Sequence, residues 1–568
     1  MFRKIALGLI VVFLLVAWGR NANAQSVRWT NPATGGAAGV WSSSANWNPA
    51  TVPGPLNTAE IGNGGEARIT SNVSTSRIEV GKNGGTGTLT STAAVTISTD
   101  SDFDVGETGE GFAAGPATFT SNGTANITDA LSLNIGTGGV GDLDIGQASA
   151  QFNAQAFGTG VVNLRRINNV MIAENVEIGK SGGSATASGQ GTLLVDSVGT
   201  FNVTVDLDIG QVSGNGQSTG VGKASIYSTS NVVVGDGIDV GFTSGSTSST
   251  NSGNGTLFVS NSMVSVGFAD PLLPGSLHVG TVSAVLGTGA QGQGTATFEQ
   301  SSLSVANSIT VGKLSGGSTT ASNSSQGSLT LIDSTISALS LEVATVLDAS
   351  AGSVDGTVNL DSSLMTLTGP LTLGPNSILE FGLAGTTKAD GTGSAGQFSA
   401  IDATLATLDG TLNVFLTDGF VPSAGDTFQI LSGARTGTFN PVDFPVLPGG
   451  LSWDIQYDPS AVTLQVLGSS FTADFDNDGD VDGSDLTTWE TSFGAGAGAD
   501  ADGDEDSDGA DFLAWQRQFG SGVPVLSATQ AVPEPTTFFL CLFGMPFVTG
   551  RLVLLNCRRH RVGKGEGN

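Results

Sequence analysis

The sequence predicts an all-β protein: a right-handed parallel β-helix, or solenoid, closed by a β-rich C-terminal cap. After it come a small helical segment built around two acidic loops and an apolar C-terminal span. Three observations carry this. Glycine makes up 84 of the 568 residues and aromatics only 7%, the composition of many short strands joined by tight turns. Second, a four-residue phrase (apolar, polar, apolar, small) returns throughout residues 60–385. It ends at Gly81, Gly106, Gly136, Gly179, Gly210, Gly241, Gly280, Gly312, Ala344 and Gly374, at intervals of 25 to 43 residues clustering near 31. Third, each phrase alternates with period two, as in Leu207-Asp208-Ile209, which places apolar side chains on one face of a strand. Collagen would need glycine at every third position, and a mean hydropathy of +0.14 is too high for a disordered chain.

Residues 1–24 read as a secretory signal. Arg3 and Lys4 precede the apolar run Ile5 to Ala17, and Ala22-Asn23-Ala24 supplies an A-x-A cleavage site, so the exported chain is expected to begin at Gln25. Residues 25–59 hold Trp29, Trp41 and Trp47, three of the seven tryptophans, and are expected to form an N-terminal cap.

In the repeats the terminal glycine supplies a left-handed turn. A period near 31 residues with two or three strands is a solenoid signature. Ten coils stacked at about 4.8 Å give a rod on the order of 50 Å. The polar position of the phrase holds Glu79, Asp104, Asn134, Glu177, Asp208, Asp239, His278, Thr310, Glu342 and Thr372 and is expected to face outward. Stacked in register these carboxylates repel. Either a cation sits between coils, or, more simply, solvation and small offsets relieve the repulsion. The segment Gly138 to Asp144, GGVGDLD, is similar to a single calcium-binding nonapeptide. Residues 386–470 carry longer alternating strands, Asp409 to Leu431 and Leu451 to Leu467, expected to form the C-terminal cap.

Residues 471–520 contain 14 acidic residues and one arginine. In the run Asp474 to Asp485, aspartate stands at loop positions 1, 3, 5, 7, 9 and 12 and Gly479 at position 6. Calcium's high coordination number asks for oxygens at such positions with a sharp turn at the sixth. Asp474, Asp476, Asp478 and Asp485 are therefore candidate side-chain ligands. Asp480 is expected to offer its carbonyl and Asp482 to act through water. A second register, Asp500, Asp502, Asp504, Asp506, Asp508 and Asp511, follows 26 residues on, and a helix-forming stretch with aromatic residues follows each loop. A solvated acidic linker is the alternative.

The pair resembles a type I dockerin, an EF-hand-loop pair in which Asp closes each loop. The resemblance implies bound Ca2+ and docking to a cohesin-like or other envelope protein. Glu505 replaces the turn glycine and Ser507 the apolar residue of the second loop, which implies weaker binding there and a lost core contact. The Ser44-Ala45-Asn46-Trp47 stretch leading into Val52-Pro53-Gly54 and the repeats resembles the entry of autotransporter-like β-helical surface proteins.

After a linker, 521–531, residues 532–561 join Pro533-Glu534-Pro535 to the apolar run Thr536 to Gly550 and the basic cluster Cys557 to Arg561. This order resembles a PEP-CTERM sorting signal. It implies an exosortase-type protease, a transmembrane span before processing, and delivery to the cell surface or extracellular matrix of a Gram-negative bacterium. Arg551 interrupts the span, and a plain membrane anchor is the alternative. The only cysteines, Cys541 and Cys557, fall in this tail, so the exported body is expected to lack disulfides.

A net charge of −30 argues against nucleic acid and anionic lipid as partners. His278 is the only histidine of the exported chain, and no serine elbow, zinc motif or paired catalytic carboxylates stand out. The expectation is therefore a structural or adhesive surface rod rather than an enzyme. A polysaccharide lyase or hydrolase carried by a dockerin is the alternative, and polysaccharide is a conceivable ligand in either case.

Overall fold

The computed structural model describes residues 25–522 except 33–38, 109–117, 152–153, 246–249, 269–273, 285–288, 316–322, 348–351, 393, 449–450, 469–470 and 495. The expected signal, most of the linker and the sorting segment with Pro533, Glu534 and Pro535 lie outside the described residues. Among the described residues no helix is long and apolar enough to cross a membrane.

The repeats stack as coils of a parallel β-solenoid; each coil gives one strand to each of three main parallel ladders, and four successive coils add a short strand after the first (Ala148–Ala150, Ser181–Gly183, Val212–Gly214 and Thr243–Gly245) in a further parallel ladder. One coil runs Val176–Ile178, Thr186–Asp196 and Thr200–Val203, and the next begins at Leu207–Ile209. The register pairs Val176 with Leu207, Glu177 with Asp208 and Ile178 with Ile209. Like residues thus lie over like. Val176, Ile178, Leu193, Val195, Phe201 and Val203 are all 0% exposed. Each such side chain contributes about 1.5–3 kcal/mol on burial, and the apolar core is continuous from Val27 to Val466.

Apart from Gly136, the phrase-ending glycines stack as expected, with Gly210 and Gly241 following paired strands. Gly210 has φ +69°, and a Cβ there would sit 1.8 Å from the Asn254 carbonyl oxygen. Ala344 adopts the same left-handed conformation at φ +51°, whereas Gly374 does not adopt it.

One phrase is misplaced in the sequence reading. Gly136 follows Ser132–Ile135, which pairs with Thr96–Thr99 and Asn169–Ile172 on the third ladder. The rung between Gly106 and Gly179 is instead Leu143-Asp144-Ile145-Gly146, paired with Phe103–Val105 and Val176–Ile178. Third-ladder strands share the apolar-polar-apolar pattern, and Gly136 also turns left-handed at φ +78°, so the phrase alone does not separate the two faces. The nonapeptide-like segment is therefore the end of one coil and the start of the next.

At a second corner each coil turns through a left-handed residue that is not glycine, from Asp129 and Arg166 through Asn261 and Gln300 to Ser362. The residue after it is apolar in the early coils (Ala130, Ile167, Val198) and hydroxylated from Thr229 onward. There a buried ladder forms: the N–H of Thr229, Ser262, Ser301, Ser334 and Ser363 donates in turn to the Oγ of Ser262, Ser301, Ser334, Ser363 and Ser399 at 3.0–3.2 Å. The hydroxyls of Ser262, Ser301, Ser334 and Ser363 donate to the carbonyl two residues back. No buried polar group in the ladder is left without a partner.

Trp29, Trp41 and Trp47 are buried at the N-terminal end, with ring centroids 4.8 Å apart edge to face. The strand that holds Trp29 also pairs parallel with Asn57–Ile61, so the cap is itself the first rung. Parallel pairing continues beyond residue 385, through Ala400–Leu408 and Thr411–Leu416 to Val442–Asp443. The antiparallel strands Ser452–Asp458 and Ala461–Leu467 then close the edge against Thr427–Gly437, which blocks edge-to-edge growth.

Candidate metal centre

The first aspartate loop is tied by its last carboxylate. Asp485 is fully buried. Its Oδ1 accepts the N–H of Phe475 at 2.7 Å and of Asp476 at 3.3 Å, and its Oδ2 accepts that of Asp482 at 2.7 Å. Asp474 takes the N–H groups of Asp478 at 3.1 Å and Gly479 at 3.0 Å. Gly479 turns at φ +93°. One oxygen each of Asp474, Asp476, Asp478 and Asp485 lies within 4.8 Å of the others, and Asp480, Asp482 and Asp485 make an overlapping group.

Asp482 is used locally as the N-cap of helix α1 (Gly483–Ser492), its Oδ1 accepting the Ser484 N–H at 2.6 Å. Asp480 Oδ1 is a buried oxygen with no hydrogen-bond partner. Desolvation, then the charges of Asp485 and Asp478, push the Asp474 carboxyl above the usual range. An oxygen-only set with one orphaned member fits a hard cation with many ligands.

The second loop repeats the plan with a looser centre. Asp511 is fully buried and accepts the N–H of Ala501 at 2.6 Å and of Asp508 at 2.7 Å. Asp508 caps helix α2 (Gly509–Gln518). Here the carboxylates fall into two separate groups, Asp500 with Asp502 and Asp504, and Asp506 with Asp508 and Asp511. Glu505 occupies the turn at φ +71°, in the region that side chains enter only at a cost.

Ser507 corrects the expectation of a lost contact. It is fully buried, its Oγ donating to the Gly496 carbonyl at 2.6 Å and accepting the Ala499 N–H at 3.0 Å. The two halves interlock: Trp489 Nε1 donates to the Asp508 carbonyl at 2.8 Å and Trp515 Nε1 to that of Asp482 at 2.7 Å. Phe512 lies between the two indoles, with centroids 4.8 and 5.6 Å away.

The other acidic concentration is the polar column of the first ladder, which the sequence reading turned outward to solvent. With Asp144 in place of Asn134, its central members are buried: Asp104 is 0% exposed and Asp144, Glu177 and Asp208 are 6–7% exposed. Simple solvation does not relieve them. Arg77 Nε meets Asp104 at 2.6 Å, and Lys82 meets Asp104 at 3.0 Å and Glu107 at 2.7 Å. Lys180 pairs with Glu177 and lies 3.8 Å from Asp208. His278 Nδ1 lies 2.8 Å from Asp239. Glu107 lies outside the phrase, and Asp144 lies in the coil whose start the phrase spacing does not place, so of the two only Asp144 falls in a motif of the sequence, as the last residue of the nonapeptide-like segment.

No protein-family model matches the chain, and no curated protein matches it.

Proposed function

We propose that this is an exported surface or matrix protein whose β-solenoid rod carries a calcium-dependent, dockerin-like interaction module. The convergence of Asp474, Asp476, Asp478 and Asp485 oxygens within 4.8 Å, at the loop positions that calcium uses, is the observation that carries this reading. The interlocked second loop and the paired helices support it. The signal-like start and the Pro533-Glu534-Pro535 tail support export and processing by an exosortase-type protease.

The test incubates the exported chain with envelope proteins of the producing cell, in calcium or in EDTA. Capture of one partner in calcium, its release by EDTA and its loss in an Asp485→Ala/Asp511→Ala variant are expected. A partner retained equally in EDTA would end the calcium-dependent reading. Mass spectrometry of the surface-located chain should find a C-terminus close to Pro535, and a chain intact to Asn568 would end the sorting proposal.

A further inference from the structure

Between the coils that contain Asp104 and Asp144, three carboxylates meet inside the solenoid wall. One oxygen each of Asp104, Glu107 and Asp144 lies within 4.8 Å of the others, and all three residues are at least nine-tenths buried. Asp104 and Asp144 are register partners on adjacent coils, so the ladder itself fixes their separation.

The cations nearby are already engaged. Arg77 and Lys82 hold Asp104 through Oδ2, and Arg77 also meets Asp102 at 3.1 Å and Glu79 at 3.4 Å. On the other side Lys180 is paired with Glu177. Among the described residues that leaves Asp104 Oδ1 and Asp144 Oδ1 buried with no hydrogen-bond partner. Glu107 Oε2 lies 2.7 Å from Lys82 Nζ and 3.6 Å from Arg77.

We propose that Asp104, Glu107 and Asp144 form a divalent-cation site between successive coils, distinct from the aspartate loops, and that calcium is its ligand. The donors are all hard oxygens, which excludes a site selective for soft metals. Calcium accepts an irregular set of carboxylates whose positions a ladder has already fixed, whereas magnesium demands near-ideal octahedral geometry. The ion would bridge two rungs where the column has its densest negative charge. Without it, burial and the neighbouring carboxylates push Glu107 up to about 7 and Asp144 well above the usual range.

The experiment uses the exported chain with both loops disabled by Asp485→Ala/Asp511→Ala, and counts calcium equivalents by equilibrium dialysis and isothermal titration. One equivalent is expected to remain, and adding Asp144→Asn should abolish it while the β-type circular dichroism is unchanged. Glu107→Gln, at the outer edge of the cluster, should weaken the same equivalent and guards against a folding defect at Asp144. Calcium should raise the melting temperature of the loop-disabled chain and leave that of its Asp144→Asn derivative unmoved. No residual equivalent, or one indifferent to both substitutions, would overturn the site. So would an Asp144→Asn derivative that melts higher than its parent with and without calcium, since the cluster would then hold a proton.

Discussion

The solenoid and the aspartate loops both crowd carboxylates, and they hold them by opposite means. In the solenoid, Asp104, Asp144, Glu177 and Asp208 are brought together by a ladder that the apolar interior has already fixed, and Arg77, Lys82 and Lys180 pair with three of them. The charges are a load on a scaffold that stands without them. In the loops almost no apolar core exists; Ala473, Val481 and Ala499 are its small buried members. There the carboxylates accept backbone N–H groups of their own loop and are themselves the scaffold. The same chemistry is therefore incidental to folding in one region and a condition of it in the other.

Chelation should separate the two regions most sharply. In EDTA, hydrogen exchange over residues 474–518 should rise to unprotected rates while the strands of residues 176–240 keep their protection. Metal binding supplies the folding free energy of small modules of this kind, and persistent protection of α1 and α2 in chelator would break the comparison. Conversely, Phe201→Ala should cost the solenoid about 3–5 kcal/mol through a cavity in a fully packed interior, leaving calcium binding by the loops unchanged; thermal melts and titration read the two effects.

Within the first loop, Asp485→Ala should abolish ordering, because one side chain ties three N–H groups. Asp482→Ala should cost about 1 kcal/mol, the worth of an N-cap. Equal effects in a calcium titration followed by helix content would deny Asp485 its special place. Glu505→Gly should strengthen the second loop by about 1 kcal/mol, the strain of a left-handed side chain, read as several-fold tighter calcium binding there.

The smallest effect tests the solenoid's load. Desolvation, then Asp239, raises the Asp208 pKa well above the usual carboxylate range. A raised folded-state value means that its contribution to stability is present below the unfolded value, about 4, and is lost as pH rises through the folded one. Asp208→Asn should therefore melt higher than the parent near neutral pH, with the gain shrinking toward pH 4. A variant less stable at neutral pH would show that Lys180 makes the charge worth keeping.

Strands were legible because period two and a terminal glycine are local signals. Which ladder a phrase joins was not: Gly136 and Gly146 end near-identical phrases, and the assignment rests on pairing partners about thirty residues away. Burial of the polar column was equally hidden. Alternation predicts that Asp104 leaves the core face, but not that Arg77 and Lys82 then cover it. The aspartate spacing placed Asp474, Asp476, Asp478 and Asp485 together, since one turn of chain connects them. The rescue of Ser507 by Gly496 and Ala499 depends on the connector between the loops, where the sequence carries no motif.

The serine ladder makes the rod a ruler. Each Oγ serves the coil before it, so a cut through part of a coil would leave an inward N–H facing nothing, whereas a whole coil can be added or removed with every rung still matched. From Thr229 to Ser399, length can therefore change only in whole marks of about 4.8 Å.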